Sequence, residues 1–182
     1  MNLELFKDFL LSYSLPTIII AIVVALINIL IRAIFKDKLS LVIKNYLPFI
    51  LSVSLYFAFD MITKKAFVFS SDAFYAGILS GSLSTIIKTA IDRISQGKTI
   101  GLSATALLIE SLLKGFIDEK SLTATARTMD NIIAQNQHLD NGLEKELIEI
   151  LNTTSKHNLT DEQVENLVNL IIFSVDATKK SK

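Results

Sequence analysis

The chain has 182 residues, half of them apolar (51%), and its mean hydropathy of +0.48 lies above that of ordinary soluble domains. Its 18 basic and 18 acidic side chains cancel overall but segregate: residues 1–95 hold 9 Lys/Arg against 6 Asp/Glu, and residues 96–182 hold 9 against 12. Cysteine is absent, which excludes disulfides, thiolate catalysis and cysteine-built zinc or iron–sulfur sites.

The first element is the strongest. Phe9 to Ile31 is a run of 23 residues without a charge, and Ile18 to Ile27 within it reads IIIAIVVALI. A bilayer core about 30 Å thick needs about 20 helical residues to cross it, so residues 9–31 are expected to span. The apolar stretch exceeds that of a cleaved signal peptide, and in the leading MNLELFKDF the acids Glu4 and Asp8 match Lys7 and the terminal amine. An uncleaved anchor is the expectation, with residues 3–11 as an interfacial lead-in. Pro16 then falls near the helix start, where its missing N–H costs least. Asn28 lies deep in this span, placed to bond to another helix.

A hairpin of two weaker spans follows, over 46–63 and 66–91, turning around Lys64 and Lys65. Asn45 to Phe59 is uncharged, and Ala66 to Ile87 is interrupted only by Asp72. The alternative is that this pair lies in the interface or re-enters without crossing. Asp60 sits near the end of the second span with Lys64 four residues on, the spacing of an interfacial ion pair rather than of an ion path.

Span three carries the most specific pattern. Ala73, Gly77, Gly81, Thr85 and Thr89 recur every four residues, and residues 77–81 form a GxxxG. Residues four apart share a helix face, and in lipid small residues matter because they let backbones approach closely. The ridge is expected either to join copies of the chain or to pack on span one or two.

Short-loop Lys/Arg counts set orientation. Arg32, Lys36, Lys38 and Lys44 mark the first connection, and Lys88, Arg93 and Lys98 the exit from span three. Both should be cytoplasmic, giving a multi-pass protein of the cytoplasmic membrane with its N-terminus out and its C-terminal domain in.

Beyond Lys98 the sequence reads as a soluble four-helix domain, 99–182, so the fold class is all-α throughout. Candidate helices are Ser103–Ile117, with Leu108, Leu112 and Phe116 on one stripe, and Leu122–Gln137. A third starts at Asn141, with Glu144 in capping-box spacing, and a fourth starts at Thr160 with Gln163 three residues on. The last helix, LVNLIIFSV at its heart, is apolar nearly all round and is expected at the centre of this domain.

Chemistry-bearing motifs are missing. His138 and His157 have no metal-ligand spacing, and HExxH, GxxxxGK[ST], GxGxxG and GxSxG do not occur. No enzyme activity, cofactor or metal is expected. Nor is nucleic acid, since no basic–aromatic groove is encoded.

The span at 9–31, the basic turn from Arg32 to Lys38 and the hairpin within 46–91 together resemble the layout of phage holins with three transmembrane helices. The resemblance covers the first half only; such holins end in a short basic tail where this chain continues for more than 80 residues. It implies a homo-oligomer that opens the cytoplasmic membrane during cell lysis, here assembled through Ala73, Gly77 and Gly81. The other expectation is a membrane-anchored adaptor, with residues 99–182 holding a cytosolic protein partner.

Overall fold

The computed structural model describes residues 9–35, 40–64, 70–97, 101–136, 141–155 and 159–180. Seven helices account for most of these: α1 (Leu15–Phe35), α2 (Leu41–Lys64), α3 (Ser71–Ser95), α4 (Ala104–Leu113), α5 (Glu119–Gln135), α6 (Asn141–Thr154) and α7 (Asp161–Lys180). No strand occurs among the described residues; the only bridges are isolated ones at Ile117, to Lys114 and to Ser155. Three helices, α1 to α3, are long and apolar enough to cross a membrane.

Local chemistry sets the ends. Pro16 is the second residue of α1, where no helical acceptor awaits its N–H. The Ser70 hydroxyl accepts the Ala73 N–H at 3.1 Å to cap α3, and Asp72 in the first turn complements the helix dipole. Helix α3 stops at Gln96 and Gly97, the latter at φ 68°. Ser103 caps α4 in the same way, at 2.9 Å from Ala106 N.

Several boundaries differ from the sequence expectation. The first span starts at Leu15, not Phe9, because the helical residues Phe9–Leu11 are cut off by a break at Ser12–Ser14, with Ser12 N–H bonded to Phe9 O. The second begins five residues early at Leu41, which puts Pro48 inside α2. The third begins at Ser71; Lys65 and Ala66–Phe69 lie outside the described residues. Helix α4 ends at Leu113 rather than Ile117, because Gly115 takes φ 95°, a left-handed conformation that favours glycine and halts a helix. The turn swings Phe116 and Ile117 back into the core. Asn141 is already helical, and residues 137–140 before it lie outside the described set. The capping box of α7 is present: Thr160 N–H donates to Gln163 Oε1 at 3.1 Å, and Gln163 N–H to Thr160 Oγ1 at 3.3 Å.

The short connection between α1 and α2 makes them antiparallel neighbours. Helices α2 and α3 are antiparallel too, since Gly77 faces Val53 while Gly81 faces Phe49 and Ser52. Helix α3 is the axis of the molecule: α1, α2, α4 and α7 all pack against it, with α5 and α6 outermost against α4 and α7. Of the most apolar window of α3, 72% is buried within the protein, against 29% for α1 and 17% for α2.

One continuous core results. It runs from Tyr13, Ala21 and Phe49 through Leu83 and Ile86 to Leu107, Leu112, Met129, Leu147, Ile171 and Ala177. The sequence divides the chain near residues 95–99 by composition, whereas side-chain packing joins the two halves. The apolar helix at the end of the chain is buried as expected, but much of its cover is span three.

Candidate functional site

Helix α1 is built inside out relative to a water-soluble helix. Its inward face carries Thr17, Ala21, Val24, Ala25 and Asn28, all at most 3% exposed. Its outward stripe is Leu15, Ile19, Ile22, Leu26, Leu30 and Ile34, from 44% to 71% exposed. The steps of three and four place these on one face. From Leu15 to Ile34 that face rises about 29 Å, the thickness of a hydrocarbon core. Helix α2 continues it with exposed Ile43, Ile50, Phe59, Met61 and Ile62, while Asn45, Phe49 and Ser52 are buried. Small and polar residues inside with large apolar ones outside suit lipid as solvent; water disfavours so wide an apolar patch. The arrangement is compatible with a membrane protein.

The small-residue ridge of α3 points into the molecule. A Cβ on Gly77 would lie 2.7 Å from Val53 Cα, and one on Gly81 would lie 2.6 Å from Ser52 Oγ and 3.0 Å from Phe49 Cα. Ala73, Thr85 and Thr89 are buried on the same helix. So α2 of the same chain occupies the two glycine positions. Ser80, Ser82 and Thr89 return their hydroxyls to backbone carbonyls four residues back, at 2.9–3.0 Å. Ser84 Oγ, Thr85 Oγ1 and Ser174 Oγ are buried without a hydrogen-bond partner.

A charged cluster fills the junction where α3 ends against α4 and α5. Arg93 Nη1 donates to both oxygens of Glu110, at 2.9 and 2.8 Å, and Thr123 Oγ1 donates to Glu110 Oε2 at 3.0 Å. Lys88 pairs with Asp92, and Lys114 Nζ lies 4.0 Å from the same carboxylate. These groups border a cavity of about 230 Å³ that also includes Glu119. Three cations and three acids balance there, so the cavity selects neither an anion nor a cation. It reads as a latch: the side chains of Arg93 and Glu110 are 12% and 11% exposed, and their charge-assisted pair ties α3 to α4.

No protein-family model, curated protein or solved structure matches this chain. Its geometry must therefore carry the functional reading alone.

The remaining sequence candidates stay apart from one another. Asn28 is buried in α1. Asp60 is half-buried four residues before the end of α2, and the side chain of Lys64, its expected partner, lies outside the described set, as do His138 and His157. No group of three or more metal-ligating side chains occurs among the described residues.

Sequence reasoning missed two features. One is the Arg93–Glu110–Thr123 cluster, which no helical spacing reveals because two turns separate its members. The other is the outward face of α7. Glu165, Asn166 and Asn169 are exposed and Asp176 is half-exposed, and Asn166, Asn169, Phe173 and Asp176 line an open furrow of about 670 Å³ with Tyr46. The steps from Glu165 to Asn169 and on to Asp176 were legible as one helical stripe, but the apolar heart of the helix masked them.

Proposed function

We propose that this chain is a multi-pass protein of the cytoplasmic membrane that self-associates in the bilayer and permeabilises it, a holin-like activity with no catalytic step. The observation that carries this is the sidedness of the helices: α1 and α2 turn apolar residues outward, while α7, packed on α3, turns Glu165, Asn169 and Asp176 outward. Polar and acidic side chains within a bilayer are costly and turn toward other helices or water rather than hydrocarbon. Copies arranged with α1 and α2 toward lipid and α7 inward avoid that cost and enclose water. Since α2 fills the glycine ridge, assembly would use the α7 side in place of Gly77 and Gly81. The Lys/Arg distribution favours the N-terminus outside and α4 to α6 in the cytoplasm.

Inducing the full chain in bacteria should collapse the membrane potential. Asn169→Leu combined with Asp176→Leu should abolish the collapse while the protein still accumulates in the membrane. An intact potential with wild-type protein present in the membrane would sink the proposal.

An adaptor is the second reading, favoured by the exposed acids Glu146 and Glu149 on α6, which suit a basic cytosolic partner. The assay is capture by the full chain in membranes, because α4 and α7 complete their core on α3. Glu146→Lys with Glu149→Lys should lose the captured protein; unchanged capture overturns this assignment.

A further inference from the structure

We propose that α7 is a fourth membrane-embedded helix, which carries the chain back through the bilayer and ends on the face where α1 begins. The inference goes beyond permeabilisation and holds for an adaptor equally. It starts from a constraint: if α3 crosses the bilayer, whatever packs along the length of α3 lies at the same depth.

Side-chain contacts fix the course of α7. At the end where α2 begins and α3 finishes, Tyr46 Oη donates to Asn166 O at 3.2 Å. Midway, Ser82 Oγ reaches Ser174 O at 3.5 Å. Beside that contact, the Phe173 ring reaches back toward the start of α3, 6.0 Å from Phe74 and 5.5 Å from Tyr75. Tyr13, just before α1, donates its hydroxyl to Thr178 O at 3.5 Å. Helix α7 therefore runs antiparallel to α3, and from Asn166 to Thr178 it rises about 18 Å, more than half of a hydrocarbon core.

The composition of α7 suits that position. Asn166 to Val175 is uncharged, whereas Asp161, Glu162 and Glu165 gather at one end and Asp176, Lys179 and Lys180 at the other. Its crossing with α3 is made by two serines, the kind of small residue that lets membrane helices approach. The aromatic rings of Phe9, Tyr13, Phe74, Tyr75 and Phe173 collect at the α1-start end, as interfacial belts do. The polar stripe of α7 then borders water within the thickness of the membrane, along the furrow beside Tyr46.

The native chain lacks cysteine, so single introduced cysteines report alone. Full-length Ser12→Cys, Ser95→Cys, Lys180→Cys, Asn169→Cys and Leu26→Cys are exposed to a charged, membrane-impermeant thiol reagent in right-side-out and in inverted vesicles. Lys180→Cys should label from the same face as Ser12→Cys, and Ser95→Cys only from the other. Asn169→Cys should label and Leu26→Cys should not. Labelling of Lys180→Cys from the Ser95 face overturns the crossing. An unreactive Asn169→Cys overturns the water-facing stripe, with Asn166→Cys repeating that measurement should the first variant fail to accumulate. Neither result depends on the membrane potential, so this proposal and permeabilisation fail separately.

Discussion

Gly77→Ala tests the close approach of α2 and α3 most directly. Two effects oppose each other. Replacing a mid-helix glycine by alanine gains about 1 kcal/mol of helix propensity. Against that, the new Cβ would sit 2.7 Å from Val53 Cα and 3.0 Å from Val53 Cγ2. The nearer atom is backbone, so no rotamer change relieves the contact and the helices must part by roughly 1 Å. A gap of that size forfeits about a quarter to a half of each dispersion well along the seam. Overpacking of this kind costs about 1–3 kcal/mol, and the backbone contact argues for the upper end. The expected net loss is about 2 kcal/mol, or about 4–8 °C in midpoint for a chain of this size. Thermal unfolding of the detergent-solubilised full chain, followed by circular dichroism at two protein concentrations, measures it. Ala33→Leu, on the exposed side of α1, should shift the midpoint by less than about 0.5 kcal/mol equivalent. A midpoint for Gly77→Ala equal to or above the parent refutes the close approach. A loss that grows on dilution would show instead that the ridge joins two copies.

Three further outcomes are expected. Arg93→Ala leaves Glu110 buried without its charged partner and should destabilise by about 3–5 kcal/mol, whereas Arg93→Met with Glu110→Leu should be near neutral in the same unfolding assay. Asn45→Ala removes the 2.6 Å bond from Asn45 Nδ2 to Leu112 O that ties α2 to α4. A loss of about 1–3 kcal/mol should follow, and a midpoint unchanged from wild type would dismiss that tie. Leu26→Arg puts a cation on the exposed apolar face of α1; if that face meets lipid the cost is about 2.5–3.5 kcal/mol and the membrane-bound fraction should fall, whereas a variant that becomes better behaved in water would argue against lipid contact.

Much of the architecture was legible before folding was considered. The uncharged run at 9–31 required a helix of membrane length, because its composition leaves hydrocarbon as the favoured solvent along most of it. Thr160 with Gln163, and Ser103 ahead of an apolar stripe, announced helix starts through purely local hydrogen bonding. The same locality explains the errors. Gly115 could have adopted either sign of φ, so the sequence did not reveal that α4 stops at Leu113. Residues 41–45, with Lys44 among them, read as loop until Asn45 found Leu112 across the fold.

The spacing of Ala73, Gly77, Gly81 and Thr85 determined that α3 would be approached closely on one face, because only small side chains admit another backbone. Which backbone arrives was beyond the sequence, since periodicity describes one helix and says nothing of its partner. Tertiary packing decided that α2 of the same chain takes that ridge and that α7 lies along α3 with its polar stripe outward. Composition alone made α1 a helix of membrane length, but packing decided which stripe turns outward by taking Thr17, Ala21 and Asn28 inside. The course of α7 along α3 came only from contacts between residues as far apart in the chain as Tyr13 and Thr178, which no local pattern encodes.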